Sequence, residues 1–153
     1  MKSKTKKIIA LLIIAALLLY LSAWRLDRDY PEAISAIGLD PSLGKPLLET
    51  DSRDGLYNRG VLKSLVKFSG NMEPDLLEDG RWAEYSEDGE VSQLLARVPE
   101  VEKFMPKDGR GYYILLTFNG ETLEDLLEAD RLNFTFAFYE IGTQRLYYSE
   151  VNL

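Results

Sequence analysis

The chain has 153 residues, 46% hydrophobic and 28% charged, a globular composition sized for one ordinary domain with a small appendage. It contains no Cys and no His, which excludes thiol nucleophiles, disulfides, Cys/His zinc centres and imidazole acid–base chemistry. The formal charge of −7 conceals an asymmetry: four of the 18 Lys and Arg (Lys2, Lys4, Lys6 and Lys7) precede the first apolar run, and the other 14 share the rest of the chain with all 25 Asp and Glu, a formal charge of −11. A body this acidic repels phosphate backbones, so nucleic acid is not an expected partner.

Ile8 to Trp24 carries no charge over 17 residues. As a helix it spans about 26 Å, close to a hydrocarbon core of about 30 Å. Tyr20 and Trp24 lie at its far end, where amphipathic rings favour the headgroup layer, and the flanking lysines outweigh Arg25 and Arg28. The expectation is an uncleaved, single-pass signal-anchor in the cytoplasmic membrane, with the N-terminus inside and the body translocated. A cleaved leader is the alternative and gives a secreted or periplasmic body. Its best cut, after Ala23, puts Leu21 where a small residue is preferred. A buried core helix would carry a polar stripe that this run lacks. The chain is thus divided into a basic cytoplasmic tip (1–7), a transmembrane helix (8–24), a juxtamembrane arm (25–54) and an extracytoplasmic domain (55–153).

In the arm, Pro31 opens a short predicted helix, PEAISAI, that Gly38 closes. Pro41, Gly44 and Pro46 then interrupt any longer regular element, while Leu39, Leu43, Leu47 and Leu48 pin the stretch to the domain. Val61–Ser69 reads as a strand and Met72–Gly80 as a loop with one helical turn. Arg81–Tyr85 reads as a short strand and Ser86–Gly89 as a turn. Val91, Leu94, Leu95 and Val98 recur at helical spacing, predicting a helix over Glu90–Arg97 that Pro99 breaks or restarts. Gly111–Phe118 is a buried-type strand, apolar at nearly every position. Thr122 and Asp125 resemble a capping box opening a helix to about Arg131. Asn133–Glu140 and Arg145–Val151 form a predicted hairpin. A loop of two or four residues faces Phe138 to Tyr147, Phe136 to Ser149 and Phe134 to Val151. The fold class is α+β: the N-terminal transmembrane helix, then a small mixed or antiparallel sheet with two or three short helices and a C-terminal β-hairpin.

The residues argue against catalysis. A serine nucleophile would need Lys as base, and the pair Ser64 and Lys67 points to opposite faces of a strand. Acids such as Glu78, Asp79, Glu84, Glu87, Asp88 and Glu90 are numerous, so close pairs arise by chance and read as solvated surface. Asp51–Gly55 and Ser86–Glu90 look superficially like calcium loops. Neither keeps the alternating ligand pattern or the twelfth-position Glu, and both read as turns, with a weak calcium site at Glu87–Glu90 as the alternative. No metal or cofactor is expected.

The most informative surface candidate is aromatic. Tyr113, Tyr139 and Tyr148 are predicted to share the face opposite the Phe row, with Leu115 and Leu146 between them, forming an apolar patch with polar tips suited to an interface. The competing expectation is that the helix at Glu90–Arg97 or at Thr122–Arg131 covers it. The candidate interface is therefore Tyr113, Tyr139, Leu146 and Tyr148. The function expected is that of a membrane-anchored accessory protein acting by protein–protein contact in the envelope on an unidentified, basic partner. An inhibitor or toxin-neutralising role is one member of that class. The alternatives are a carboxylate-dependent glycan hydrolase and a structural spacer or oligomerisation unit.

Overall fold

The structure, a computed structural model, describes residues 13, 14, 30–54, 57–107 and 109–153. Of the apolar run, only Ile13 and Ile14 are described, both helical and exposed. The rest of the expected anchor lies outside the described residues. Among those residues no helix is long and apolar enough to cross a membrane.

The domain is α+β, built on one six-stranded antiparallel sheet. Its strands are β1 (Gly44–Asp51), β2 (Gly60–Phe68), β3 (Ala83–Glu84), β4 (Gly111–Thr117), β5 (Asn133–Glu140) and β6 (Arg145–Asn152), in the order β1-β2-β6-β5-β4-β3. The helices are α1 (30–36), α2 (Glu73–Asp79), α3 (Glu90–Ala96), α4 (Pro99–Glu102) and α5 (Leu123–Glu128). Met72–Gly80, expected to be mostly loop, thus holds a two-turn helix that ends at Gly80 in the left-handed conformation. The capping box at α5 is complete, with Thr122 and Asp125 satisfying each other's backbone N–H.

The hairpin takes the predicted register: Phe138 opposes Tyr147, Phe136 opposes Ser149 and Phe134 opposes Val151. Alternation then sends Phe134, Phe136 and Phe138 to one face, where all three are fully buried beneath α3, α4 and α5. Burying each such ring stabilises the fold by about 1.5–3 kcal/mol. Tyr113 belongs to this face, not to the opposite one. It pairs with Phe138 across β4 and β5 and stacks on Phe136 at 6.1 Å. Leu115, opposite Phe136, lies there too. Strand β4 is apolar at both parities, so its pattern carried no information about which side faces the Phe row.

The other face is covered by the arm. Tyr30 and Ile34 from α1, Ile37 from the turn after it, Leu76 from α2, and Met72 and Trp82 pack on Val66, Phe68, Tyr139 and Leu146. Neither of the two helices expected over Tyr139 and Tyr148 lies there, since both are committed to the Phe face. Helix α1 is tied down at its end. Trp82 Nε1 donates to the Ile37 carbonyl at 3.2 Å, and Arg81 Nη1 donates to the Ala36 carbonyl at 3.3 Å. Gly38 leaves the helix at φ +83°, a conformation other L-residues adopt at a cost.

The stretch read as an arm also supplies β1, which pairs along its length with β2. Residues 30–54 are in this sense part of the sheet domain, although the sequence divides them from it at residue 54. Pro46 did not prevent a strand because β1 is the sheet edge, and the register slips between Pro46 and Leu48 in a bulge.

Candidate functional site

Two rows of side chains cross the α1 face near the end of the sheet. Register places Asp51, Leu62, Glu150, Thr135 and Leu116 side by side over β1-β2-β6-β5-β4. The next row is Glu49, Ser64, Tyr148, Ala137 and Ile114. In the central strands several of these side chains are small: Ser64, Thr135 and Ala137. One row further on, Val66, Leu146 and Tyr139 fill the space beneath the helices. The shortfall in side-chain volume leaves a cleft of about 980 Å³ between this floor and α1, walled by Tyr30, Ala33 and Ile34 and rimmed by Glu32, Arg53, Asp54, Asn58 and Phe118. That volume lies within the range of ligand sites.

The rim from β1 to β2 is held in place by its own bonds. Asp54 Oδ1 accepts from the Tyr57 and Arg59 amides at 2.8 and 3.2 Å, and Asn152 Nδ2 donates to the Asn58 carbonyl at 2.8 Å. Arg53 grips Asp51 with two parallel bonds of 2.9 Å, Nε to Oδ1 and Nη2 to Oδ2, and donates through Nη1 to Glu150 Oε2 at 2.7 Å. Glu150 Oε1 in turn accepts from the Tyr148 hydroxyl at 2.7 Å. A charge-assisted network therefore runs from β6 to the sheet edge, the geometry in which arginine–carboxylate contacts are strongest. Burial, reinforced by the Glu150 charge, holds the Tyr148 phenol well above the ordinary tyrosine range. Burial alone pushes Tyr30 up to about 12. Both phenols are neutral donors at physiological pH.

The floor contains one unmet group. Ser64 is 5% exposed, and its Oγ has no hydrogen-bond partner among the described residues. Lys67 gives it no help, because the Lys67 ammonium donates to the Thr143 carbonyl on the other side of the sheet. The predicted opposition of these two residues holds, and Lys67 is not a base for Ser64. Among the described residues no three acidic side chains are close enough to hold a metal ion. Ser86–Glu90 is a turn leading into α3.

Of the four aromatic-patch residues, the structure brings together Tyr139, Leu146 and Tyr148 and separates Tyr113 from them. Tyr139 and Leu146 are fully buried, and the Tyr139 hydroxyl accepts from the Met72 amide at 3.1 Å. Of the four, Tyr148 lines the cleft. Glu49 and Glu150 stand out in no motif of the sequence, and Asp51 and Arg53 read there only as part of a turn, because their alignment depends on β1, which the Pro and Gly residues of the arm conceal. Alternating acids at Glu49 and Asp51 were the available signal: at spacing two, both point to one face of a strand.

The chain matches no protein-family model, no curated protein and no solved structure.

Proposed function

We propose that the chain is a membrane-anchored extracytoplasmic binding protein whose cleft receives a basic segment of a partner in the cell envelope. The observation that carries this reading is the charge of the lining: among the described residues, Glu32, Glu49, Asp51, Asp54 and Glu150 line the cleft with one cation, Arg53. Concave walls of one sign concentrate the field and select ligands of the opposite sign. The anchor follows from the uninterrupted apolar run and its lysine-rich flank. Five residues lie between Trp24 and Tyr30, so a cleft walled by Tyr30 sits within about 20 Å of the end of that run. A partner bound there is held close to the bilayer.

The hydrolase alternative requires a carboxylic acid free to protonate a leaving group. Glu150, the best-placed acid on the floor, has both oxygens engaged by Tyr148 and Arg53, an arrangement that suits a fixed anion. Inhibition or toxin neutralisation is one use of a cleft that takes a basic segment.

Two measurements test the proposal. The full-length protein in an uncharged detergent is titrated with a lysine- and arginine-rich peptide and with an acidic peptide of equal length. Preferential, salt-sensitive binding of the basic peptide is expected, and equal binding of the two overturns the cleft reading. Protease added to intact spheroplasts should digest the domain. Protection until lysis overturns the topology.

A further inference from the structure

We propose that Lys45, Lys67 and Arg145, with the exposed Leu47 and Leu48 beside them, form a docking surface for the anionic headgroups of the bilayer that holds the chain. This surface rests on the membrane-anchor part of the reading above and adds a second contact with lipid. Register places Lys45, Lys67 and Arg145 side by side across β1, β2 and β6, on the face that carries Leu65 and Tyr147. Lys63 stands on the same face further along β2, over the Phe104 ring at 5.8 Å. Like charges directly opposite on paired strands destabilise a sheet, yet this row lies on a body of formal charge −11. Among the described residues none of these four cations makes an ion pair. Lys67 donates to the Thr143 carbonyl, which leaves its charge in place. Glu140, next in the row after Arg145, accepts from Thr143 and Tyr147. An external anion relieves the repulsion.

The apolar part of the surface selects lipid. Leu47 and Leu48 are 49% and 50% exposed, and residues 41–48 contain no acid. Leucines beside lysines suit the headgroup boundary, where apolar side chains enter and ammonium groups meet phosphate. Tyr30 lies against Gly44, the residue before Lys45, and five residues separate Tyr30 from Trp24. An inserted anchor therefore keeps this surface beside the bilayer, where a patch too weak to recruit a free protein suffices. A nucleic acid or an acidic protein would approach from solution against the charge of the body. Strand pairing with a second copy is opposed by the edge itself. Ser69 donates to the Leu43 carbonyl while Phe68 donates away to Gln144, so Gly44 and Pro46 turn outward. The Gly44 N–H is bonded to the Pro41 carbonyl and Pro46 has none, which leaves residues 44–46 without a donor for another strand.

The chain has no cysteine, so one introduced cysteine can carry a fluorophore. The full-length protein is labelled at Thr50→Cys, beside the surface, or at Leu77→Cys on α2 over the opposite face, and placed in vesicles containing nitroxide-labelled lipid. The vesicles are phosphatidylcholine with or without phosphatidylglycerol. With phosphatidylglycerol, quenching at position 50 should exceed that at 77 by at least about twofold, and the excess should shrink without it or at high salt. Lys45→Gln with Arg145→Gln should abolish the excess while the thermal midpoint is kept or raised, because like-charged neighbours are removed. The lipid comparison leaves the protein unaltered and decides the matter should that variant misfold. Equal quenching at the two positions, or in the two lipid mixtures, overturns the docking surface and leaves the anchored binding protein standing. Loss of the excess to polyglutamate added at equal charge overturns it in favour of an acidic protein. Release of the protein by alkaline carbonate overturns the anchor and the docking surface together.

Discussion

The two faces of the sheet differ in how completely they are closed, although strands β5 and β6 serve both. On the Phe face, three consecutive alternating rings meet α3, α4 and α5, and Phe134, Phe136 and Phe138 have no exposed surface. On the α1 face, Tyr139, Leu146 and Val66 fill the space beneath the helices. Beyond them Ser64, Thr135 and Ala137 leave the cleft. One face is therefore built for stability and the other exchanges part of its packing for an acidic opening, as expected where a binding site is set in a folded scaffold.

This contrast is broken most severely from the closed side. Phe136→Ala should lower unfolding free energy by about 3–5 kcal/mol, the cost of a large cavity in a packed core. Glu32→Gln on the cleft rim should change it by less than about 0.5 kcal/mol. Denaturant midpoints of the two variants, read side by side, check this asymmetry. A pH titration gives the next largest effect. The folded-state pKa values of Tyr30 and Tyr148 are raised by burial, so the folded state keeps protons that the unfolded state releases. Their contribution is fully present below the ordinary tyrosine pKa of about 10 and is lost as pH rises from there, through about 12 for Tyr30. The slope is about 1.4 kcal/mol per pH unit for each phenol, measurable as a falling denaturant midpoint together with delayed appearance of tyrosinate absorbance. Stability that stays level across this interval would mean the phenols are solvated.

Ser64→Ala removes a buried, unmatched hydroxyl and should raise unfolding free energy by about 1 kcal/mol. Thermal or denaturant midpoints of the variant check this, and a loss of stability would mean that the hydroxyl has a partner.

The sequence was most legible where one alternation dominated. The Phe row of β5 sets both the hairpin register and the helix-covered face, and Val91, Leu94 and Leu95 mark the helix that covers it. It was least legible where local signals pointed the wrong way. Pro46 and Gly44 look like breakers, yet an edge strand needs only one hydrogen-bonded side, and a side chain at Gly44 would run into the Tyr30 hydroxyl beneath α1. Tyr113 was assigned to the wrong face because β4 is apolar throughout and its register is decided by β5. The aromatic patch was a reasonable grouping for Tyr139, Leu146 and Tyr148, but covering it fell to α1, an element from the arm. The acids of the cleft come from α1, from β1 with the connection after it, and from β6, and no sequence window contains all three places.

The central claim is that the location of negative charge, rather than its total, attracts the partner. The most direct measurement compares two double reversals that alter net charge equally in the full-length protein: Glu32→Lys with Asp54→Lys at the cleft, and Glu124→Lys with Glu128→Lys on exposed positions of α5, which packs on the opposite face. The cleft pair should weaken binding of the lysine- and arginine-rich peptide by more than about tenfold and the α5 pair by no more than about twofold. Equal losses from both pairs would contradict it.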